Sequence, residues 1–551
     1  MNPSKTSALE TEVSELKSLV KNLLDKVDHL TKENTALREE VRHLKKLKGK
    51  PTIRPNKKDP KENDKGNEGS DPSTPPDAGH SAPPKSKRPR SQKPGKTAKP
   101  SPTSVRVEIC SVDGVQDSWQ NKGYSDFTHI DVNLEFTTTR YRREVWLTPE
   151  GQTFIAPLPD HVKGRFGGNL SALVLDLYHS CGVTQPLLLG WLHSHGCPLS
   201  EGKLNDLLIH GHEQFHQERD EILEAGIASS RMLLVDDTGA RHDGKNGFCT
   251  VVGNDAFTVF TSTPSKSRVN FLTVLQGQRR SHVLSPVAID YMKQVGVTAK
   301  WIKILSACGE THFLSQNSWD AFLDDHKLFA AQQRRWVTEG ALKAGLLDNG
   351  FPESMIIHSD GARQFDSAFA HSLCWFHASR PIAKLIPGNP LERAARDWIE
   401  TQFWCIYDDV EAYCKAPTEA QKKQIAQDFG HWVRTQVDYR DLQSVLGQLD
   451  RAKEELLLIL EHPWLPLHNN LSERQIREYV KRRKISGGTR SSLGRRCRDT
   501  FTSLKKTCQL HGVSFSRYLK DRIFGGGSIP RLSDLVREKA ALLMGMPAYG
   551  F

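Results

Sequence analysis

Near the amino terminus, leucine recurs at every seventh position, and this repeat constrains the fold of the chain more than any other feature. Valine fills the interleaved positions, except that Asn34 occupies one of them. Valine at position a with leucine at position d favours a parallel two-stranded coiled coil, and a single buried asparagine at position a fixes its register. We therefore predict a dimerisation zipper over residues 1–47 and a homodimer, although a single amphipathic helix packed on its own chain is the alternative. The residues expected to form the dimer contact are Leu16, Leu23, Leu30, Asn34 and Leu37.

Residues 48–104 change abruptly in composition. They are dense in Lys, Pro, Ser, Gly and Asn and contain almost no large apolar side chain, so burial cannot offset the entropy of ordering them. We predict a disordered basic linker. The basic run at 85–90 either contacts DNA phosphates or is simply solvated, and the sequence leaves both interpretations open.

The charge balance indicates a polyanionic partner. Among 551 residues, 76 are Lys or Arg and 65 are Asp or Glu, a formal excess of +11, which favours nucleic acid as the partner. The ten cysteines form no Cys-x-x-Cys pair, so neither a disulfide framework nor a zinc ribbon is expected. Without an apolar signal core or a long apolar stretch, the expected location is the cytoplasm.

The middle of the chain alternates between strand and helix patterns. Residues 105–160 alternate apolar with polar side chains and predict a small β-rich domain. Residues 161–230 predict helices, with Ser200 as the N-cap of one of them, in the outline of a helix-turn-helix. Its second helix would enter a DNA major groove, unless the segment is an ordinary helical hairpin that binds nothing.

Two acidic residues follow apolar strands, and a third lies on a later helix. Asp236 follows the first of three strands predicted within 231–266, Asp360 follows a strand at 354–358, and Glu473 lies on a helix after Pro466. Phosphodiester cleavage uses two hard divalent cations, and such cations prefer carboxylate oxygens. Acidic residues also follow strands merely as turn formers, so this spacing alone does not identify a metal site.

Four short motifs occur in a fixed order: L-V-D-D-T at 234–238, H-S-D-G-A at 358–362, C-W-F-H-A-S-R at 374–380 and N-N-L-S-E-R at 469–474. The ordered set resembles the DDE-type transposases of the insertion sequence sixty-six family, whose motifs read like V-D-E-T, T-D-G-Y, C-W-A-H-A-R-R and D-N-N-x-A-E-R. The resemblance implies that Asp236, Asp360 and Glu473 are the catalytic, metal-binding triad. His377 and Arg380 would neighbour the active site. The implied cofactors are two divalent cations, Mg²⁺ or Mn²⁺.

The resemblance also implies a fold and a division of the chain. The fold class is α/β, an RNase H-like core in which helices flank a mixed sheet. The core would comprise residues 231–384 and the Glu-bearing helix within 466–495, separated by a helical insertion at 385–465 and followed by a helical region at 496–551. Residues 275–345 exceed what the core needs and look inserted as well.

The predicted Glu473 helix is strongly basic, and this face either holds the backbone of the DNA being cut or is a solvated surface supported by i,i+4 ion pairs. The family resemblance implies further partners: terminal inverted repeats, target DNA and accessory proteins of the same mobile element, with a nucleoid-associated location in a bacterium. The candidate DNA-binding residues are Arg474, Arg477, Lys481, Arg482, Arg483 and Lys484.

This sequence departs from the family pattern at Asp237 and His468, neither of which is a triad position. The family's cysteine-rich segment is missing from residues 105–160, so zinc is not expected there. Two other functions stay open. One is a DNA-binding protein that keeps the scaffold without the chemistry. The other is a zinc hydrolase using His212, Glu213 and His216, which fit the H-E-x-x-H pattern but have no evident third ligand.

Overall fold

The computed structural model describes residues 108–110, 124–125, 127, 134–162, 164–366 and 369–545. The predicted zipper, including Leu16, Leu23, Leu30, Asn34 and Leu37, and the predicted linker lie outside these residues and stay predictions. The chain divides into two compact units, 1–125 and 126–551, and the elements below belong to the second. Among the described residues, no helix has both the length and the apolar character needed to cross a membrane.

A short hairpin and four helices precede the main sheet. Strands β1 (Val145–Leu147) and β2 (Thr153–Ile155) pair antiparallel, with Trp146 opposite Phe154. The helical prediction for the following segment is confirmed, and Ser200 is an N-cap, because its Oγ accepts the backbone N–H of Lys203 at 3.2 Å. Whether this segment binds a DNA groove stays a prediction. The helices are α1 (Gly168–His179), α2 (Gln185–Ser194), α3 (Glu201–Ile209) and α4 (Glu213–Ala228).

The three strands predicted within 231–266 form an antiparallel meander of β3 (Met232–His242), β4 (Lys245–Gly253) and β5 (Thr258–Thr263). The expectation that the first strand ends before Asp236 is wrong. Strand β3 continues to His242 because its pairing with β4 extends to the hairpin turn. Asp236 therefore lies within a strand, where the backbone holds it more rigidly than a turn would.

Along the chain, a long excursion follows β5 before the sheet resumes. It covers the segment that was predicted to be inserted. Its apolar residues form a cluster around Trp319, whose ring stacks on His282 with 5.1 Å between centroids. The excursion consists of α5 (Arg268–Gln276), β6 (His282–Leu284), α6 (Pro286–Gln294), α7 (Ala299–Ala307), β7 (Thr311–Phe313), α8 (Gln316–Asp325) and α9 (Ala331–Asp348), with β6 and β7 paired antiparallel.

Two parallel strands complete the sheet. Strand β8 (Ile356–Ser359), which the sequence predicts, pairs parallel with β3, and β9 (Ala370–Leu373) pairs parallel with β8. The five-stranded order is β5-β4-β3-β8-β9. The fold is therefore a mixed α/β sheet flanked by helices, and its order and strand directions are compatible with an RNase H-like core.

The helical prediction after β9 is also confirmed, and these helices form an apolar cluster around Trp375. The Trp375 ring lies 5.3 Å from the ring of Phe403 and 5.8 Å from that of Phe429. The segment contains α10 (Trp375–Ala383), α11 (Pro390–Lys415), α12 (Glu419–Val433), α13 (Arg440–Arg451), α14 (Lys453–Leu457) and a 3₁₀ turn (Leu458–Leu460).

Four helices close the chain: α15 (Asn470–Ser486), α16 (Ser492–Leu510), α17 (Phe515–Phe524) and α18 (Leu532–Gly545). Helix α16 is fastened to the edge strand β5. The Ser503 hydroxyl accepts the N–H of Phe260 at 2.9 Å, and the Asp499 carboxylate accepts the N–H of Ser262 at 2.7 Å. Because these bonds satisfy an edge that would otherwise be open, the sheet ends here under a helix.

Candidate active site

The register between β3 and β8 aligns the two aspartates of the predicted triad. Leu234 pairs with His358 in the parallel ladder, and Asp236 and Asp360 each follow two residues later. Asp236, within β3, and Asp360, one residue past the end of β8, therefore lie at matching positions along this strand pair.

Backbone contacts fasten the start of α15 to the same edge of the sheet. Asn469, which is fully buried, donates from Nδ2 to the carbonyl oxygen of Val235 at 3.0 Å and from its backbone N–H to Cys374 Sγ at 3.3 Å. The backbone N–H of Cys374 in turn donates to the carbonyl oxygen of Ser359 at 3.0 Å. Val235 and Ser359 immediately precede the two aspartates, so this chain of bonds sets where Glu473 enters the site. The paired asparagines of the fourth motif were the signal for this role, which the sequence analysis did not assign.

The pKa of Asp236 reflects its burial and the acidic residues around it. Burial foremost, then the negative charge of Asp360 and, more weakly, those of Asp237 and Glu473, raise the pKa of Asp236 to about 7. The N–H of Asp237 donates to Asp236 Oδ1 at 2.7 Å and opposes this rise.

Glu473 is held by cationic and polar neighbours. Its Oε1 lies 3.2 Å from Arg380 Nη2 and 3.5 Å from His377 Nε2, and its Oε2 lies 3.4 Å from Arg477 Nη2. Burial foremost, and then the charge of Arg380, lower the pKa of His377, so this imidazole is neutral at neutral pH. The structure thus brings both predicted neighbours of the active site against the Glu473 carboxylate.

Asp237 lies beside this group but is neutralised by other residues. Its buried carboxylate pairs with Lys266 and accepts a hydrogen bond from Gln364. Burial raises the pKa of Asp237, and the hydrogen bond and charge of Lys266 counteract that rise. No motif marks Lys266 or Gln364 in the sequence, so neither was predicted.

The donor chemistry of the site fits hard divalent cations. Asp236 and Asp360 offer carboxylate oxygens whose mutual repulsion a cation would relieve, and oxygen ligands suit Mg²⁺ and Mn²⁺ better than zinc. Over the described ranges, no three His, Cys, Asp or Glu side chains stand close enough together to hold a metal ion. At this site the Glu473 carboxylate is paired with Arg380 and Arg477.

Comparison with known proteins identifies the family. The model of the family described as Transposase IS66 family matches residues 328–496, a stretch that includes Asp360 and Glu473. The chain is also 35% identical to the uncharacterized protein y4jO of Sinorhizobium fredii (strain NBRC 101917 / NGR234) over 322 residues, which are 58% of this chain and 100% of that relative. The chain belongs to the IS66 transposase family. Transposases process DNA, and the resemblance noted in the sequence is thereby confirmed.

In this IS66 family chain, the basic face of α15 is smaller than its sequence predicts. The structure exposes Arg474, Arg477, Lys481 and Lys484. Arg482 is buried against Tyr178, with the guanidinium carbon 3.8 Å from the ring centroid. Arg483 reaches back to β3, where Nη1 donates to the carbonyl oxygen of Gly239 and to Thr238 Oγ1. The last two arginines therefore do not belong to the exposed face, because helix rotation turns them towards α1 and the sheet.

The geometry around His212, Glu213 and His216 is that of a packed helix start, which argues against the zinc hydrolase. His212 Nε2 lies 3.0 Å from the carbonyl oxygen of Leu207, and His216 Nδ1 lies 2.7 Å from Thr500 Oγ1. Glu213 is exposed and pairs with Arg496. Burial lowers the pKa of His216 to about 4, as expected for a neutral core histidine.

Proposed function

We propose that this chain is a DDE transposase that cuts and joins DNA by divalent-metal-dependent phosphoryl transfer. The observation that carries the proposal is the register of β3 and β8, by which Asp236 and Asp360, the latter one residue past the end of β8, match along adjacent parallel strands. The anchoring of α15 next to Val235 adds Glu473 to the same edge. Membership of the IS66 transposase family supports the same reaction.

The three carboxylates have distinct tasks in this proposal. Asp236 and Asp360 are the rigid ligands, because Asp236 lies in β3 and Asp360 directly follows β8, where its Oδ1 accepts the N–H of Ala362 at 3.0 Å. Glu473 is the adaptable ligand, because it must release its ion pairs with Arg380 and Arg477 in order to bind a cation. Two bound cations, Mg²⁺ or Mn²⁺, supply activation of the attacking oxygen and stabilisation of the leaving oxygen. His377, being neutral and within 3.5 Å of Glu473, orients that carboxylate without neutralising it.

The substrate in this proposal is the DNA of the element itself. Water frees a 3′ end at a terminal inverted repeat, and the new 3′-hydroxyl then attacks target DNA. The exposed Arg474, Arg477, Lys481 and Lys484 hold the phosphate backbone, whose contacts position the duplex without reading its sequence. The helices of 161–230 hold the element end, and the predicted zipper pairs two copies so that both ends are cut together. Accessory proteins of the element complete the assembly, at the nucleoid of a bacterial cell.

The experiment is cleavage of a labelled terminal-repeat duplex by the full-length protein, with Mg²⁺, with Mn²⁺ and with EDTA. Glu473→Gln keeps the shape of the side chain but removes a charged ligand, so we expect nicking to fall by about a thousandfold or more. Glu411→Gln, the same change at an exposed position of α11, is the matched control and should cleave like the wild type. Equal cleavage by Glu473→Gln and wild type would refute the proposed triad.

A second candidate is a DNA-binding protein that has lost cleavage. The engagement of Glu473 with Arg380 and Arg477 favours it, since a permanently paired carboxylate cannot serve as a metal ligand. This candidate predicts that the wild type binds terminal repeats but nicks them with neither metal, and that Asp236→Ala binds DNA as tightly as the wild type.

A further inference from the structure

A cavity of about 310 Å³ opens where the end of α1 meets α15 and α16, away from the three carboxylates. Its walls come from the segment 179–182 and from side chains in the second half of α15 and the middle of α16. Four cationic side chains line it, namely Lys481, Arg482, Arg498 and Lys505, and the lining contains one carboxylate, Glu478. The cavity therefore has an excess of three positive charges.

The central cation has no acceptor. Arg482 is 7% exposed, and neither its Nη1 nor its Nη2 has a hydrogen-bond partner. It stacks on Tyr178, a cation–π interaction. Burial lowers the pKa of Arg482, and the contact with Tyr178 only partly offsets this. A buried charge in this state is destabilising unless a partner of opposite sign is supplied.

The groups around Arg482 do not compensate its charge either. Arg498 donates only to neutral oxygens, with the carbonyl of Gly487 at 3.1 Å and the hydroxyl of Ser486 at 3.0 Å. Lys505 takes the single carboxylate, since its Nζ lies 2.7 Å from Glu478 Oε1. Glu478 is thus already neutralised and does not compensate Arg482.

A neutral histidine completes the wall. Burial, and then the positive charge of Arg482, hold the pKa of His179 well below its usual value. The Nε2 atom of His179 is buried and has no hydrogen-bond partner, and its ring stacks on Phe501 at 4.4 Å. A neutral imidazole can donate one hydrogen bond to an anion without adding to the charge repulsion.

One feature opposes an anion here. Helix α1 ends at His179, and a helix C-terminus has a partial negative charge of about half a unit. The carbonyl oxygen of Ser180, at this end, already accepts a bond from Lys505 Nζ at 2.9 Å. Three net positive charges outweigh half a negative one, so the cavity still favours an anion.

We infer that this cavity is a phosphate-binding site, in which Arg482 is the principal ligand and Arg498, Lys505 and His179 assist. A phosphate group offers several acceptor oxygens to donors that converge from different directions, and the planar fork of an arginine matches it in bidentate fashion. The site is separate from the proposed metal site. Arg482 lies nine residues beyond Glu473, about 13.5 Å along the helix axis. The inference does not depend on whether the chain cleaves DNA.

The test is the binding of inorganic phosphate to the full-length protein at neutral pH, by calorimetry and by thermal unfolding, against chloride at equal ionic strength. We expect phosphate to raise the unfolding temperature of the wild type. We expect Arg482→Gln to bind phosphate at least about tenfold more weakly than the wild type does. Arg482→Lys, which keeps the charge but not the fork, should fall between the two and guards against a folding defect. Arg517→Gln, an exposed arginine of α17, is the matched control and should bind like the wild type.

The proposed function is tested separately by Glu473→Gln, which should lose cleavage but keep phosphate binding. Competition by short oligonucleotides with and without a 5′-phosphate identifies the source of the group: a terminal phosphate, a backbone phosphate or, if neither competes, the free ion. Absence of phosphate-specific stabilisation in the wild type, or equal phosphate binding by Arg482→Gln and wild type, would overturn the inference.

Discussion

The two ends of α15 carry opposite charges. At its start lies Glu473, which pairs with Arg380 and Arg477 and whose negative charge contributes to the raised pKa of Asp236. Towards its end, Arg482 is buried with no acceptor for Nη1 or Nη2. The helix dipole favours an acid at the start and a base at the end, so the local structure tolerates both. The contrast teaches that one helix can carry a charge matched by partners within the protein at one end and an unmatched charge at the other.

Asp499 of α16, which packs beside the middle of α15, shows how a buried charge is satisfied within the protein. The buried Asp499 of α16 accepts bonds from the N–H of Ser262 at 2.7 Å, from the hydroxyl of Ser262 at 2.9 Å and from the hydroxyl of Tyr479 on α15 at 3.3 Å. Donors within the protein surround this carboxylate, so it serves the fold. Arg482, by contrast, has no acceptor for Nη1 or Nη2, and this difference marks it as a candidate binding group.

The largest effect is expected where α15 is fastened at its acidic end. Asn469→Ala removes the bond to the Val235 carbonyl and lets Glu473 shift relative to the aspartates. A misplacement of about 1 Å can cost about a hundredfold in rate, so cleavage of terminal-repeat DNA should fall by about that factor. The unfolding free energy should fall by about 1–3 kcal/mol, because a buried acceptor loses its donor. Nicking assays and denaturant titration measure the two effects.

Asn389→Ala is the matched control, because Asn389 caps the start of α11 by accepting the N–H of Glu392 at 2.9 Å. It should lower stability by about 1 kcal/mol and leave cleavage unchanged. If both asparagine variants cleave like the wild type, the acidic end of α15 does not depend on its anchor.

A smaller effect, on stability alone, is expected at Asp499 of α16, beside the middle of α15. Burial raises the pKa of Asp499 to about 6, so between its ordinary value near 3.8 and 6 the folded protein binds more protons than the unfolded one. This contribution to stability is therefore fully present below pH 3.8 and is lost as the pH rises through 6. Asp499→Asn should remove it, on the order of 2 kcal/mol, and flatten that part of the stability profile. Identical slopes for variant and wild type would show that Asp499 is not the group responsible.

The smallest effect is expected on the exposed basic face. Arg474→Gln and Lys484→Gln should each weaken DNA binding modestly and reduce the salt slope of the affinity by about 0.9, the value for one phosphate contact. Unfolding should be unaffected, because both side chains are exposed. Lys423→Gln, an exposed lysine of α12, serves as the control in the same filter-binding titration. An unchanged slope in the first two variants would remove this face from the proposed DNA contact.

Much of the fold was predictable because its signals are local. The strands β3, β4, β5 and β8 follow from apolar runs, and the cap at Ser200 from residue type and position. Strand β9, A-H-S-L, is short and half polar, so no periodicity marks it. The end of the strand at Asp236 was mistaken because pairing with β4, which is not local, carries the strand onward.

For the candidate site, the motifs named the acidic residues but not their supports. Lys266 and Gln364, which neutralise Asp237, come from segments without any motif. Arg482 and Arg483 look identical to their exposed neighbours in the sequence, yet they face Tyr178 and β3. A run of basic residues on a helix must point in every direction, and only the packing of that helix decides which of them reach solvent.

By itself, the sequence determined the family and several of the strands and helices, and it named three acidic residues as a candidate triad, because these depend on residue types and on short-range patterns. Tertiary structure alone decided that Asp236 and Asp360 share a register, that Asn469 fastens α15 beside them, and that Arg482 lies in a cavity without an acceptor. The physical reason is that burial and charge compensation depend on residues distant in the chain, whose approach no local pattern encodes.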